Sequence, residues 1–496
     1  MNIDDNGRAL VRQAESLERQ GRFREAIEAY RQLLARWPDL SDSWYNLGLL
    51  QRKVGDFAAA LASYQEALSR GIVQPEEVHL NRGVIFSDCL RRYDAAEREL
   101  NQAIGLNPAY VPALANLANL HEDLGRRDLA AGVYEQILAL APENAQALAR
   151  YAGLKTFSSL DDPMIARLRR AGGRPGLSAQ DRADVEFALG RALDACGAYD
   201  AAFEVFRAGN LHSRESAGDG FRGYDPDAHE RFVDRLIAAF PAAMRAERPG
   251  MSSPRPVFLC GMFRSGSTLT EQLLAGHPQV EAGGELDFLP RAVETTLAPF
   301  PESLALASRS QLEALALDYA NLLHDSFPSA ILVTDKRPDN YLYIGLIMAL
   351  FPDARIIHTT RDALDNCLSI YFLQLDQSMS YALDLMHIGH YYGQYLRLMA
   401  HWKALFGGAI LDSSYDALVV DPRRLMERIQ VFLGLRPDER CLAVSASGRA
   451  IKTASVWQVR EPLYQHASGR SRHYSKELEA LSIYLRRLSN THSTVV

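Results

Sequence analysis

Residues 256–278 read PVFLCGMFRSGSTLTEQLLAGHP, and the residue types able to do chemistry gather there first. Val257, Phe258 and Leu259 form a short apolar run of the kind that makes a buried parallel strand. A Gly-bounded turn follows from Gly261 to Thr268, and from Ser267 the pattern turns helical, with Leu269, Leu273 and Leu274 on one stripe. Strand, tight loop and helix start together aim several backbone N–H groups and the positive end of a helix dipole at one point, which is a phosphate site. The spacing is that of a P-loop, G-x-x-x-x-G-K-[ST], except that Ser267 stands in the lysine position. Without that lysine, nucleoside-triphosphate hydrolysis and kinase chemistry are disfavoured. Arg264 remains as a cation, and Ser265, Ser267 and Thr268 offer hydroxyls.

This stretch resembles the 5′-phosphosulfate-binding loop of sulfotransferases, which use 3′-phosphoadenosine 5′-phosphosulfate (PAPS) and release 3′,5′-adenosine bisphosphate. The Arg-Ser-Gly-Ser-Thr variant is most similar to protein-tyrosine sulfotransferases and their bacterial relatives, and the resemblance runs from about residue 254 to 480. It implies that Arg264, Ser265, Gly266, Ser267 and Thr268 bind the 5′-phosphate, and that Arg264 also stabilises charge on the transferring group. Seven residues after His277-Pro278, Glu285 matches the family's Gly-Glu segment, whose glutamate is the general base. Ile331 to Lys336 reads as a buried strand ending in a cation, and a strand's carboxyl end faces the crevice of an α/β sheet. The resemblance gives Lys336 the departing oxygen. It gives Arg361 and Ser369 the 3′-phosphate, Tyr415 a place near the nucleotide, Ser455 the sulfuryl group, and Arg470 the 3′-phosphate from a late closing loop. Leu373 departs from the pattern, standing where tyrosine sulfotransferases have a further arginine. His358, in an apolar strand, reads as a packed core histidine.

Composition sets the wider limits. A chain of 496 residues has room for two to four domains. A formal net charge of −7 argues against a dedicated nucleic-acid binder. Five scattered cysteines without a C-x-x-C pair suggest reduced thiols. The opening MNIDDNGRALVRQAE has no signal-peptide core, and no run of 18 apolar residues exists, so no membrane span and a cytoplasmic location are expected. No metal-ligand set stands out.

The element that must carry this site is an α/β domain with a central parallel sheet. Ahead of it lies a repeat. Gly21, Phe23, Ala26 and Tyr30 recur 34 residues later as Gly55, Phe57, Ala60 and Tyr64. After a two-residue insertion the frame continues at Tyr93, Ala96 and Leu100, then at Ala130 and Tyr134. This resembles the tetratricopeptide repeat, two antiparallel helices per unit. Four units span about residues 8–142, a further first helix begins near Asn144, regularity lapses over residues 157–182, and a late unit covers about 182–212. The expected organisation is a helical repeat solenoid over residues 1–248 and a sulfotransferase domain over 249–496. The solenoid's expected use is to hold a peptide, protein or glycan acceptor, or to pair two chains as a homodimer. Two rivals keep the same residues in view: a P-loop kinase, and an inactive adaptor whose repeats bind a partner.

Overall fold

A computed structural model describes residues 4–240, 254–442, 457 and 468–493. Its contacts divide the chain into two compact units, Met1–Leu154 and Lys155–Val496.

The first unit is built of helix pairs: Asp5–Arg19 with Phe23–Arg36, Ser41–Lys53 with Phe57–Ser69, Pro75–Val84 with Tyr93–Leu106, Val111–Asp123 with Arg127–Leu140, then Ala145–Gly153. Three of the tight turns inside pairs use a glycine in the left-handed region, Gly21, Gly55 and Gly125. In the third pair Arg91 takes that place at φ 52. It follows a π-helical segment, Ile85–Cys89, which absorbs part of the insertion seen in the sequence. Small residues let the paired helices close up: a Cβ on Gly48 would lie 2.7 Å from the Tyr64 ring.

The second unit opens with four helices, Pro163–Gly172, Ala179–Ala195, Tyr199–Ser216 and Pro226–Ala239. A five-stranded, wholly parallel sheet follows, of order β2-β3-β1-β4-β5. Its strands are β1 (Arg255–Gly261), β2 (Val280–Ala282), β3 (Leu332–Lys336), β4 (Arg355–Thr360) and β5 (Ile410–Ser414). β1 lies in the middle and is buried from Pro256 to Gly261, as its unbroken apolar run requires. One core on the sheet joins Val257, Leu259, Leu273, Leu332, Ile357 and Ile429.

The compact-unit boundary, 154/155, lies well before the 248/249 boundary expected from the Pro- and Ser-rich stretch that follows residue 248. The reason is packing. Phe206 stacks on Phe372 with ring centroids 3.9 Å apart. Asn210 Nδ2 donates to the Tyr371 carbonyl at 2.9 Å. Phe240 meets Trp402 edge-on and leaves no room for a side chain at Gly345. The late helices therefore bury their apolar faces on the sheet domain. Residues 157–182, irregular in sequence, contribute the helix Pro163–Gly172, capped by Asp162.

Candidate functional site

The phosphate-type loop connects β1 to the helix Ser267–Leu274. At its entrance a Cβ on Gly261 would lie 2.3 Å from the Thr359 carbonyl oxygen of β4, so the position accepts only glycine. The loop turns through Arg264 at φ 68 and Gly266 at φ 99. A left-handed arginine costs about 1–2 kcal/mol, so its surroundings must hold it. Ser265 N–H donates to Met262 O at 3.0 Å. The Thr359 hydroxyl donates to Cys260 O at 3.1 Å and pairs with the Ser265 hydroxyl at 2.7 Å. Asn366 Nδ2 donates to Phe263 O at 2.9 Å. A Cβ on Gly266 would lie 2.7 Å from the Tyr415 ring, so the loop is shaped from both sides. Ser267 and Thr268 open the helix and are buried.

Three guanidinium groups share this crevice. Arg264 Nε donates to Ser369 Oγ at 3.2 Å, and Arg361 donates to Arg264 O at 3.4 Å. The Arg361 guanidinium also lies over the Tyr415 ring, 5.0 Å from its centroid. Arg470 sits over Phe372 and is paired with Asp194 at 2.7 Å. Burial pushes Arg264 down to about 10, and the like charges of Arg361 and Arg470 add to the fall. Burial also lowers Arg361, with Arg470 pushing the same way and Tyr415 opposing. An anion placed among these groups would relieve both effects. Asp194 also accepts from the Tyr474 hydroxyl, and Asp365 accepts from the N–H groups of Gly469 and Ser471 at 2.5 and 2.6 Å. These bonds anchor the late segment that carries Arg470.

Across β1 lies the second cluster. Lys336, at the carboxyl end of β3, is 1 % exposed and donates to Glu285 Oε1 at 2.5 Å. The Glu285 side chain is 41 % exposed. Behind them Glu271, on the loop helix, is 2 % exposed and accepts from Gly284 N–H at 3.0 Å and the Thr334 hydroxyl at 2.6 Å. Asp335 points to the other face of β3, where Tyr319 and Asn340 donate to it. Its burial pushes it up to about 7.

Of the residues expected from sequence, Arg264, Ser265, Gly266, Ser267, Thr268, Arg361, Ser369, Tyr415 and Arg470 gather on one side, and Glu285 and Lys336 form a pair on the other. Ser455 lies outside the described residues. Leu373 follows the end of the helix Ala363–Tyr371. His358 is buried between Asp412 and Tyr395. Sequence reasoning missed Glu271, Thr359, Asp365, Asn366 and Asp194. Glu271 carried a signal, as a carboxylate one turn into an amphipathic helix and beside its apolar stripe. Asp194 carried none, because its partner lies 276 residues away.

A parallel sheet with a glycine-shaped loop at its centre, cations beyond it and a Lys–Glu pair beside it defines an α/β domain that follows helical repeats. Comparison with known proteins is specific. Residues 256–439 match the sulfotransferase family, and residues 11–75, 45–86 and 113–148 match tetratricopeptide repeats. Residues 256–439 are thus similar to the sulfotransferase family and follow residues similar to tetratricopeptide repeats. An uncharacterized protein of Aquifex aeolicus is 31% identical over 418 residues, covering 80% of this chain and 52% of its own length. The chain therefore spans about half of that relative. Protein-tyrosine sulfotransferase 1 of Danio rerio is 28% identical over 162 residues, covering 27% of this chain and 43% of its own. Among solved structures, the sulfotransferase domain of the Synechococcus PCC 7002 olefin synthase is 24% identical, with a TM-score of 0.37, and covers 50% of this chain and 98% of its own.

Proposed function

We propose that the protein is a PAPS-dependent sulfotransferase acting on a hydroxyl acceptor, a tyrosine of a peptide or protein or the hydroxyl of a glycan. The observation that carries this reading is the meeting of Arg264, Arg361 and Arg470 beside a glycine-shaped phosphate loop. Arg264 is buried with the like charges of Arg361 and Arg470 acting on it, and a nucleotide bearing phosphates at both the 5′ and 3′ positions suits them. The fit extends to the loop, where Gly266 lets the Tyr415 ring pack directly against the backbone, 2.7 Å from where a Cβ would sit. PAPS, when bound, supplies an activated sulfuryl group on a phosphate leaving group.

The chain's own residues do the rest. Backbone N–H groups within residues 264–268 and the hydroxyls of Ser267 and Thr268 hold the 5′-phosphate, while Ser265 shapes the loop through Met262 and Thr359. Arg361, Ser369 and Arg470 hold the 3′-phosphate, with Arg361 fixed against Tyr415. Arg264 and Lys336 stabilise the negative charge that develops as the bond to the bridging oxygen breaks. Ser455, outside the described residues, is assigned to the transferring sulfuryl group. Glu285 takes the acceptor's proton while the acceptor oxygen forms the new bond to sulfur. No step requires a metal ligand from this chain. The partial likeness to a protein-tyrosine sulfotransferase favours a phenolic acceptor. The repeats serve to recruit that acceptor or to pair two chains, and the reading locates the reaction in the cytoplasm. Among the described residues no helix is long and apolar enough to cross a membrane.

The test is transfer of labelled sulfate from PAPS into peptide, glycan and small phenol acceptors, beside thermal shifts with 3′,5′-adenosine bisphosphate and with ATP·Mg²⁺. Sulfate transfer with stabilisation by the bisphosphate supports the reading. Stabilisation by ATP·Mg²⁺ alone would make it a kinase, and stabilisation by neither an adaptor. Glu285→Gln should cut turnover by about 10²–10⁴-fold while bisphosphate affinity stays within about threefold.

A further inference from the structure

Resting on the proposed transfer reaction, one residue outside the expected site has a role that follows from where it is buried. Lys336 is almost wholly buried, and its hydrogen-bonded partner Glu285 is the most solvent-facing member of the cluster. Glu285 is a weaker base while it holds an ammonium group, since that bond stabilises its charged form. In the proposed reaction the departing oxygen competes with Glu285 for the Lys336 ammonium group. A buried cation that leaves its partner is costly unless a second negative charge stays beside it. Glu271 is that charge: its carboxylate is buried behind Lys336 and fixed by the Gly284 N–H and the Thr334 hydroxyl.

The same bonds tie down the segment that carries Glu285. Glu271 Oε1 receives Gly284 N–H, one residue before Glu285, and Thr334 on β3, two residues before Lys336. Lys336 N–H in turn donates to Gly284 O at 2.9 Å, and Gly283 N–H to Thr334 O at 3.0 Å. A Cβ on Gly283 would lie 2.1 Å from the Thr334 carbonyl, so the turn and the strand are in close register. We propose that Glu271 is a positioning residue for sulfuryl transfer: it braces the Glu285 turn against β3 through Gly284 and Thr334 and places a carboxyl group near Lys336, so that Lys336 can exchange Glu285 for the departing oxygen.

The electrostatics agree with this geometry. Burial raises Glu271, Glu285 repels it in the same direction, and Lys336 is the largest opposing influence, ahead of the Thr334 and Gly284 bonds. Asp335 feels Glu271 from the far face of β3, and Arg337, paired with Asp287 and Asp339, also feels Glu285. These are the charged groups facing the cluster from β3, the turn after β2 and the loop helix.

Glu271→Gln separates charge from shape, because its amide oxygen can still accept both bonds. Turnover should fall about 10–100-fold, the scale on which residues that orient a working group act. Calorimetric affinity for 3′,5′-adenosine bisphosphate should stay within about threefold. The pH–rate bell should move to lower pH by about one unit, since a negative charge beside both working groups has gone. Thr334→Val, which removes a bond that favours the Glu271 carboxylate and so lessens its charge, should move the acid limb the same way by a smaller amount, and it serves if Glu271→Gln does not fold. An unmoved bell in Glu271→Gln, or in Thr334→Val where Gln does not fold, would overturn the proposal and leave Glu271 a structural residue. So would a loss of bisphosphate affinity equal to the loss of turnover. A wild-type protein that transfers no sulfate from PAPS would instead fail the proposed function, before any variant is compared.

Discussion

The helix pair Ser41–Lys53 with Phe57–Ser69 and the helix pair Ala179–Ala195 with Tyr199–Ser216 are built alike and end differently. In each, a glycine on the first helix receives an aromatic ring from the second: Gly48 faces Tyr64 and Gly190 faces Phe206, with room for no Cβ in either place. Each pair turns through a left-handed glycine, Gly55 or Gly197. Yet the first belongs to a unit whose cores consist of repeat residues alone. The second presents Phe203 and Phe206 to Tyr371 and Phe372 of the sheet domain and offers Asp194 to Arg470. The lesson is that repeat spacing sets how two helices pair, while the surface that covers their outer face decides which domain they serve. Residues 163–239 are part of the second unit's structure, whereas residues 5–153 form a body of their own.

The largest effect should come from cutting at the two boundaries. A chain beginning at residue 155 should fold and bind 3′,5′-adenosine bisphosphate. One beginning at 249 should give no cooperative unfolding transition, since it uncovers Phe372, Gly345 and Trp402. Equal behaviour of the two truncations in a melting experiment would erase the distinction drawn here.

Next comes a single residue of the shared interface. Phe206 is fully buried, so Phe206→Ala should cost about 3–5 kcal/mol. Denaturant titration should show this loss in the second unit's transition, with the first unit's midpoint unchanged.

Asp194→Asn is milder. It removes a charged bond to Arg470 and weakens the anchor of the segment from Gly469 to Tyr474. Affinity for the bisphosphate should drop about tenfold, or ~1.4 kcal/mol, by calorimetry, while a charge-neutralising change in the first unit such as Glu99→Gln leaves affinity unaltered.

The smallest effects are in pH dependence, where the units should respond with opposite sign. Burial raises Glu99 in the first unit, but His79 and Arg82 outweigh it and hold the carboxylate below its usual range. Its contribution is present above the unfolded value and is lost as pH falls through the folded one. Asp335 in the second unit is pushed up to about 7. The folded state then binds the proton more tightly than the unfolded one, so this contribution is present in acid and is lost as pH rises from about 4 to 7. Asp335→Asn should flatten that slope in the second unit's stability and leave the first unit's acid limb in place.

The sequence by itself determined whatever is local. The spacing of Gly261, Gly266 and Thr268 sets a strand, a turn and a helix start within a few residues, and no distant partner can change that chain path much. The recurrence of Gly21 at Gly55 and of Tyr30 at Tyr64 likewise dictates paired helices, because each contact lies within one short repeat. Lys336 was legible for a related reason, since a cation ending an apolar run must sit at a strand's carboxyl end. What stayed hidden depends on separation. Glu271 meets Thr334 across 63 residues, Arg264 meets Ser369 across 105, and Arg470 meets Asp194 across 276. Only tertiary structure decided these pairs, and with them the boundary near residue 154, because burying one apolar face against another is non-directional and leaves no fixed interval in the sequence.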